Sequence, residues 1–203
     1  ETLSFKQKLF KTFDEVCDDT VVLSSSTSCI CPSTFIDGLK HKSQVIVSHP
    51  VNPPHYMPLV EIVNSPDTDP AVTERTVALM KEIGQCPVVL KKEANGFLLN
   101  RLQYALLMEA WRIVEDGICS PEDVDIAVKE GLGLRWSFMG PFETIDLNAP
   151  NGTADYCDRY GENISKICQE MDDTKVRPMH GTATVQTIHD AMRKAVPAKD
   201  LGA

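Results

Sequence analysis

Phe5, Leu9, Phe10, Phe13 and Val16 recur at intervals of three and four, a spacing that predicts an amphipathic helix over 2–16. Short apolar runs follow. Val21-Val22-Leu23 ends in the polar turn Ser24-Ser25-Ser26-Thr27-Ser28, and Val45-Ile46-Val47 runs into Ser48-His49-Pro50-Val51-Asn52-Pro53-Pro54. Leu59–Val63 and Pro87–Leu90 complete a set of four predicted strands. The prolines of 48–54 exclude regular structure from that loop. Pro32 is expected to open a helix over 32–40. Asp69-Pro70 caps and opens another, with Val72, Thr76, Leu79, Met80 and Ile83 on one face and Gly84 at its end. Residues 1–91 thus alternate helix and strand, which predicts a parallel or mostly parallel sheet.

The pattern changes at Glu93-Ala94-Asn95-Gly96. Residues 97–116 are apolar on most sides and predict a buried helix with Gly117 as its C-cap. Ser120-Pro121-Glu122-Asp123 fits a capping box and predicts a helix ending at Gly131. Tyr156, Tyr160, Ile164, Ile167 and Met171 mark a further helix, and Val185, Ile188, Ala191, Met192 and Ala195 mark the last. The fold class is therefore α/β over 1–93 followed by all-α over 94–203. The tail from Pro197 carries few anchors. The first residue already sits inside a helical pattern with no Met before it, so the chain is expected to be a fragment.

Composition narrows the function classes. The chain has 203 residues, 42% hydrophobic and 24% charged, with a net charge of -9 from 20 basic and 29 acidic residues. No basic patch points to nucleic acid or to an anionic membrane, and no apolar run approaches the ~20 residues of a membrane span. Seven cysteines, an odd number at irregular spacing, read as reduced thiols packed as small core residues in a cytoplasmic protein. No metal site is expected.

Candidate chemistry lies where predicted strands end, which is where open α/β sheets bind ligands. Ser28 follows the first strand, His49 follows the second, Glu61 sits within the third, and Asn100 lies at the start of the helical region. These four are expected to converge at a cleft between the two regions. Blander readings exist for each: a buried structural histidine, an edge-strand carboxylate, a serine turn and a helix cap.

The motifs that carry these residues resemble those of the 3-hydroxyacyl-CoA dehydrogenases. That family has a Ser-Asn-Thr-Ser turn, a His-x-x-Asn-Pro loop, a Glu twelve residues after the His, and a Gly-Phe-x-x-Asn-Arg helix start. The chain has Ser25-Ser26-Thr27-Ser28, His49-Pro50-Val51-Asn52-Pro53, Glu61 and Gly96-Phe97-Leu98-Leu99-Asn100-Arg101. Met139-Gly140-Pro141-Phe142-Glu143 matches a further signature, and Ser26 departs from the usual Asn. The resemblance implies the C-terminal portion of a Rossmann-type NAD-binding domain over 1–93. It implies a helical, 6-phosphogluconate-dehydrogenase-like substrate and dimerisation domain over 94–203, and a homodimer.

The resemblance further implies NAD as cofactor, His49 as general base oriented by Glu61, and Ser28 and Asn100 on the substrate oxygen. Neutral imidazole suits a base near neutral pH, and a carboxylate partner fixes its tautomer. Glu1, Lys6, Ser28 and Asn52 fall on cofactor-binding positions. The Gly-x-Gly-x-x-Gly turn that cradles a pyrophosphate does not occur in the sequence and is expected to precede it.

Family members that act on acyl-CoA have a shorter segment where this chain has Gly131–Pro141. That segment brings in Arg135, a potential bidentate partner for a small carboxylate or, alternatively, a surface residue stacked on Trp136. The expected reaction is oxidation of the 3-hydroxyl of a small hydroxy acid, L-gulonate first, with a 3-hydroxyacyl-CoA or a structural role that retains the fold as alternatives.

Overall fold

The computed structural model describes residues 2–172 and 181–195. Glu1 and the tail from Pro197 lie outside the described residues. The chain forms two compact units, Glu1–Tyr104 and Ala105–Ala203.

The first unit is built around a four-stranded sheet. Helix α1 (Leu3–Val16) precedes β1 (Leu23–Ser25), β2 (Val45–Pro50) and β3 (Leu59–Asn64), and α2 (Pro70–Glu82) connects to β4 (Cys86–Leu90). The strand order is β1-β2-β3-β4. The β1/β2 and β3/β4 pairs are parallel and β2/β3 is antiparallel, so the sheet is mostly parallel, as the alternation predicts, with one antiparallel step. Connection length explains the difference. A parallel crossover needs a dozen or more residues, whereas β2 and β3 are joined by residues 51–58 alone.

Alternation along the strands divides the core in two. Val45, Val47 and Val63 face a cluster with Phe10, Phe35, Ile36, Leu39 and Phe97. Ile46, Val60, Ile62 and α2's Val72 form the cluster on the other face. The helix expected over 32–40 is reduced to one 3-10 turn, Pro32–Thr34, because Phe35, Ile36 and Leu39 all turn into the first cluster and tertiary burial overrides the local pattern. Helix α2 is capped as predicted: Asp69 Oδ1 accepts the Ala71 N–H at 2.8 Å.

The described part of the second unit is all helix: the body of α3 (Leu99–Glu115, which begins in the first unit), α4 (Pro121–Ile126), α5 (Gly133–Trp136), α6 (Pro141–Leu147), α7 (Gly152–Asp172) and α8 (Ala183–Ala195). Gly117 takes φ +68 just beyond α3, and the Ile118 N–H reaches back to the Ile113 carbonyl, the C-cap expected there. Ser120 Oγ accepts the Asp123 N–H at the start of α4. Gly131 does not end that helix. The chain passes through a π-type turn, Ala127–Leu132, directly into α5. Nor is α3 buried as expected. Trp111 is its one buried residue, while Leu102 and Tyr104 are exposed. The cysteines also depart from expectation: all seven are free thiols, but only Cys31 is buried. No helix among the described residues is long and apolar enough to cross a membrane.

A buried histidine staples α1 to the turn that leads into β2. His41 Nδ1 lies 2.9 Å from Asp14 Oδ1 and Nε2 3.3 Å from Asp19 Oδ1. Asp14 also accepts the backbone N–H groups of Lys40 (2.8 Å) and His41 (2.7 Å). Burial opposes the Asp14 charge, but these backbone bonds and the His41 ring outweigh it and hold the carboxyl below its usual range. A carboxyl depressed in the folded state contributes stability above its unfolded pKa of about 3.9 and loses it as pH falls through the folded value. We expect Asp14→Asn to cost about 1–2 kcal/mol at neutral pH. The gap from the unsubstituted protein should narrow below about pH 4. Denaturant unfolding at pH 7, 5 and 3 checks this, and a gap independent of pH would contradict it.

Candidate active site

Strand register brings the first two candidate residues together. In the antiparallel β2/β3 pair, His49 stands directly opposite Glu61. Opposed residues project to the same side of a sheet. Here it is the face of Val47, Val63 and Phe97, since side chains alternate along each strand. The twelve-residue spacing seen in the sequence is therefore the geometry of one hairpin. His49 Nδ1 lies 2.7 Å from Glu61 Oε2. A carboxylate accepts and does not donate, so Nδ1 carries the hydrogen, and in the neutral ring Nε2 then keeps its lone pair.

Glu61 is completely buried and the His49 side chain is 12% exposed. A carboxylate in an apolar interior is costly unless its oxygens are satisfied. Both are. Oε2 takes the imidazole, and Oε1 accepts the backbone N–H groups of Leu98 (2.7 Å) and Leu99 (2.9 Å). These N–H groups open α3, where orphan donors and the positive end of the helix dipole favour a negative group. Sequence reading assigns Glu61 the histidine alone and misses this second task.

The backbone before α3 is shaped for it. Gly96 takes φ +75 and Phe97 φ +50, with the Phe97 N–H closing a turn onto the Ala94 carbonyl at 3.0 Å. A positive φ costs a non-glycine residue about 1–2 kcal/mol. Phe97 is 1% exposed, packs in the first core cluster, and lies with its ring centroid 6.0 Å from that of His49. In the sequence Phe97 stands in the Gly-Phe-x-x-Asn-Arg motif at the expected start of a helix, with no sign of its φ.

Asn100, in the first turn of α3, donates from Nδ2 to the Ser28 backbone carbonyl at 2.9 Å. Ser28 is held in turn by a local frame: Ser25 Oγ accepts the Thr27 N–H, and the fully buried Thr27 Oγ1 accepts the Ile30 N–H. One chain of contacts thus runs from the Ser28 turn through Asn100 and the α3 N-terminus to Glu61 and His49. All of it lies in the first unit, which includes Asn100.

Lys6 reaches from α1 to the carboxyl end of β1, where Nζ donates to Ser25 Oγ at 2.8 Å and sits 5.7 Å from the Phe35 ring centroid. That places a cation at the strand ends where a dinucleotide binds in an open α/β sheet, so the residues present fit such a group. Asn52 is exposed in the loop after β2 and is not joined to the network described above. Arg135 is exposed on α5 in the second unit, adjacent to Trp136. In the Met139–Glu143 motif, Pro141 opens α6 and Glu143 Oε2 accepts the Gly140 N–H at 2.6 Å. Glu1 lies outside the described residues.

Comparison with known proteins agrees with this architecture. Residues 1–94 match the 3-hydroxyacyl-CoA dehydrogenase NAD binding domain, and residues 96–191 match the C-terminal domain of the same enzymes. The chain belongs to the 3-hydroxyacyl-CoA dehydrogenase family. It is 52% identical to lambda-crystallin of Oryctolagus cuniculus over 98% of its own length, and spans 61% of that relative. It is 39% identical to L-carnitine dehydrogenase of Oceanobacillus iheyensis over 74% of this chain and 49% of that one. Among solved structures it resembles 5-formyl-3-hydroxy-2-methylpyridine 4-carboxylic acid 5-dehydrogenase, an NAD+-dependent dismutase. That likeness has a TM-score of 0.76 at 25% identity, covering 96% of this chain and 67% of the other.

Proposed function

We propose that the protein of which this chain is part oxidises the 3-hydroxyl of a small hydroxy acid, with L-gulonate as the substrate and 3-dehydro-L-gulonate as the product. The observation that carries the reading is the His49–Glu61 pair. Its hydrogen-bond polarity leaves Nε2 as the proton acceptor, on a strand end beside the Asn100–Ser28 bridge. When bound, NAD supplies the hydride acceptor. Lys6, Glu1, Ser28 and Asn52 would hold it, with Lys6 already at the end of β1.

The chain's own residues handle the proton. Nε2 of His49 takes the hydrogen from the substrate hydroxyl, and the Glu61 carboxylate stabilises the imidazolium so formed. Glu61 is held against rotation by two backbone donors, so the ring keeps one orientation and one tautomer. Ser28 and Asn100 orient the substrate oxygen toward Nε2. Arg135, exposed on α5, would bind the substrate carboxylate. Relatives named for small acids stand beside relatives named 3-hydroxyacyl-CoA dehydrogenase, so Arg135 carries the choice of a small acid. The exposed apolar residues Leu102, Tyr104 and Leu107 of α3 support a homodimer.

Two outcomes follow for the full-length protein. NADH should form with L-gulonate, and His49→Gln should reduce kcat by at least about 100-fold. Turnover with a 3-hydroxyacyl-CoA alone would keep the chemistry but remove the role of Arg135, and no turnover with either would overturn the reading. Sedimentation velocity should give a dimer that Leu102→Glu weakens, and a compact monomer would refute the assembly.

A further inference from the structure

We infer that Phe97 is a positioning residue for the His49–Glu61 pair, acting through the backbone that follows it. The inference rests on the functional reading above and adds to it a residue outside the hydrogen-bonded set. Three observations meet at this side chain. Phe97 is a non-glycine residue at φ +50, a conformation that side chains other than Asn, Asp and Gly rarely adopt. Its ring is buried with Val47, Val63 and Phe35 and lies 6.0 Å from the imidazole it faces, at 59°. The next two peptide N–H groups, those of Leu98 and Leu99, are the donors to Glu61 Oε1.

The physical connection is direct. The anchored ring keeps Phe97 from relaxing to negative φ, and φ at this residue sets the direction of the peptide planes after it. Relaxation would swing the Leu98 and Leu99 N–H groups away from Oε1. That oxygen, fully buried, would then lack its backbone donors, and the carboxylate would turn to recover them. The turn removes Oε2 from Nδ1, and the imidazole loses the contact that fixes which nitrogen carries its hydrogen. Gly96 lends this segment its first left-handed residue, and Phe97 converts core packing into the second.

The test compares Phe97→Leu, which keeps an apolar side chain in the core, and Phe97→Gly, which frees the backbone, with Leu39→Ala, a truncation in the same core cluster away from the pair. In full-length protein, both Phe97 variants should raise amide hydrogen exchange at Leu98 and Leu99 at least about tenfold. They should also merge the distinct Nδ1 and Nε2 nitrogen resonances of His49 toward a tautomer average. kcat should fall by about 10- to 100-fold with KM within about twofold, the signature of a misplaced reacting group. Leu39→Ala should lower the melting temperature and leave these readouts in place. If the Phe97 variants behave like Leu39→Ala, the inference is overturned. The exchange and ring-nitrogen readouts need no substrate. A positive result there without turnover by the unsubstituted protein would sustain the positioning role and sink only the assigned reaction.

Discussion

The site depends on one fully buried carboxylate. Glu61 is fully buried, and its charge is tolerable because three donors converge on its two oxygens. Those donors come from two elements far apart in sequence, the end of β2 and the start of α3. Satisfying Glu61 therefore ties the helix that leads into the second unit to the strand that carries the imidazole. The imidazole is oriented as a consequence of a burial problem being solved.

The scaffold makes this arrangement rigid. An eight-residue connection forces β2 and β3 to be antiparallel, and the resulting register sets His49 opposite Glu61. Val45, Val47 and Val63 on one side of these strands and Ile46, Val60 and Ile62 on the other fill two cores, so a slip of one residue would exchange the faces and expose both. The serine-rich turn after β1 is held by its own hydroxyls and receives Lys6 on one side and Asn100 on the other. Ser28 and Asn100 are thus joined to the pair through α3, all within the stretch that matches an NAD binding domain and the helix that follows it.

Much of this was legible in the sequence, for reasons that differ by residue. Strands of Val and Ile, the Asp69-Pro70 helix start and the Gly117 stop are local signals, although β1 is displaced to Leu23–Ser25 and β2 continues through Ser48-His49-Pro50, where the prolines predict an irregular loop. His49 and Glu61 could be paired because motif and spacing reflect a hairpin. What escaped was set by tertiary structure. Residues 32–40 read as a helix but bury Phe35, Ile36 and Leu39 without one. The antiparallel step was hidden because apolar runs carry no direction. The second task of Glu61 could not be read, since backbone N–H groups leave no letter in the sequence. Phe97 could be read only as part of the Gly-Phe-x-x-Asn-Arg helix start, and its φ is set by tertiary packing.

The central claim is that Glu61 and His49 act as one unit inside the fold. A double-mutant cycle in unfolding free energy, with His49→Gln, Glu61→Gln and the double variant in full-length protein, tests it most directly. The account predicts a coupling energy of about 1–3 kcal/mol, because each single substitution strands the partner it leaves behind. Additive effects, within about 0.5 kcal/mol, would mean that the two residues are neighbours without being a pair, and would contradict the account.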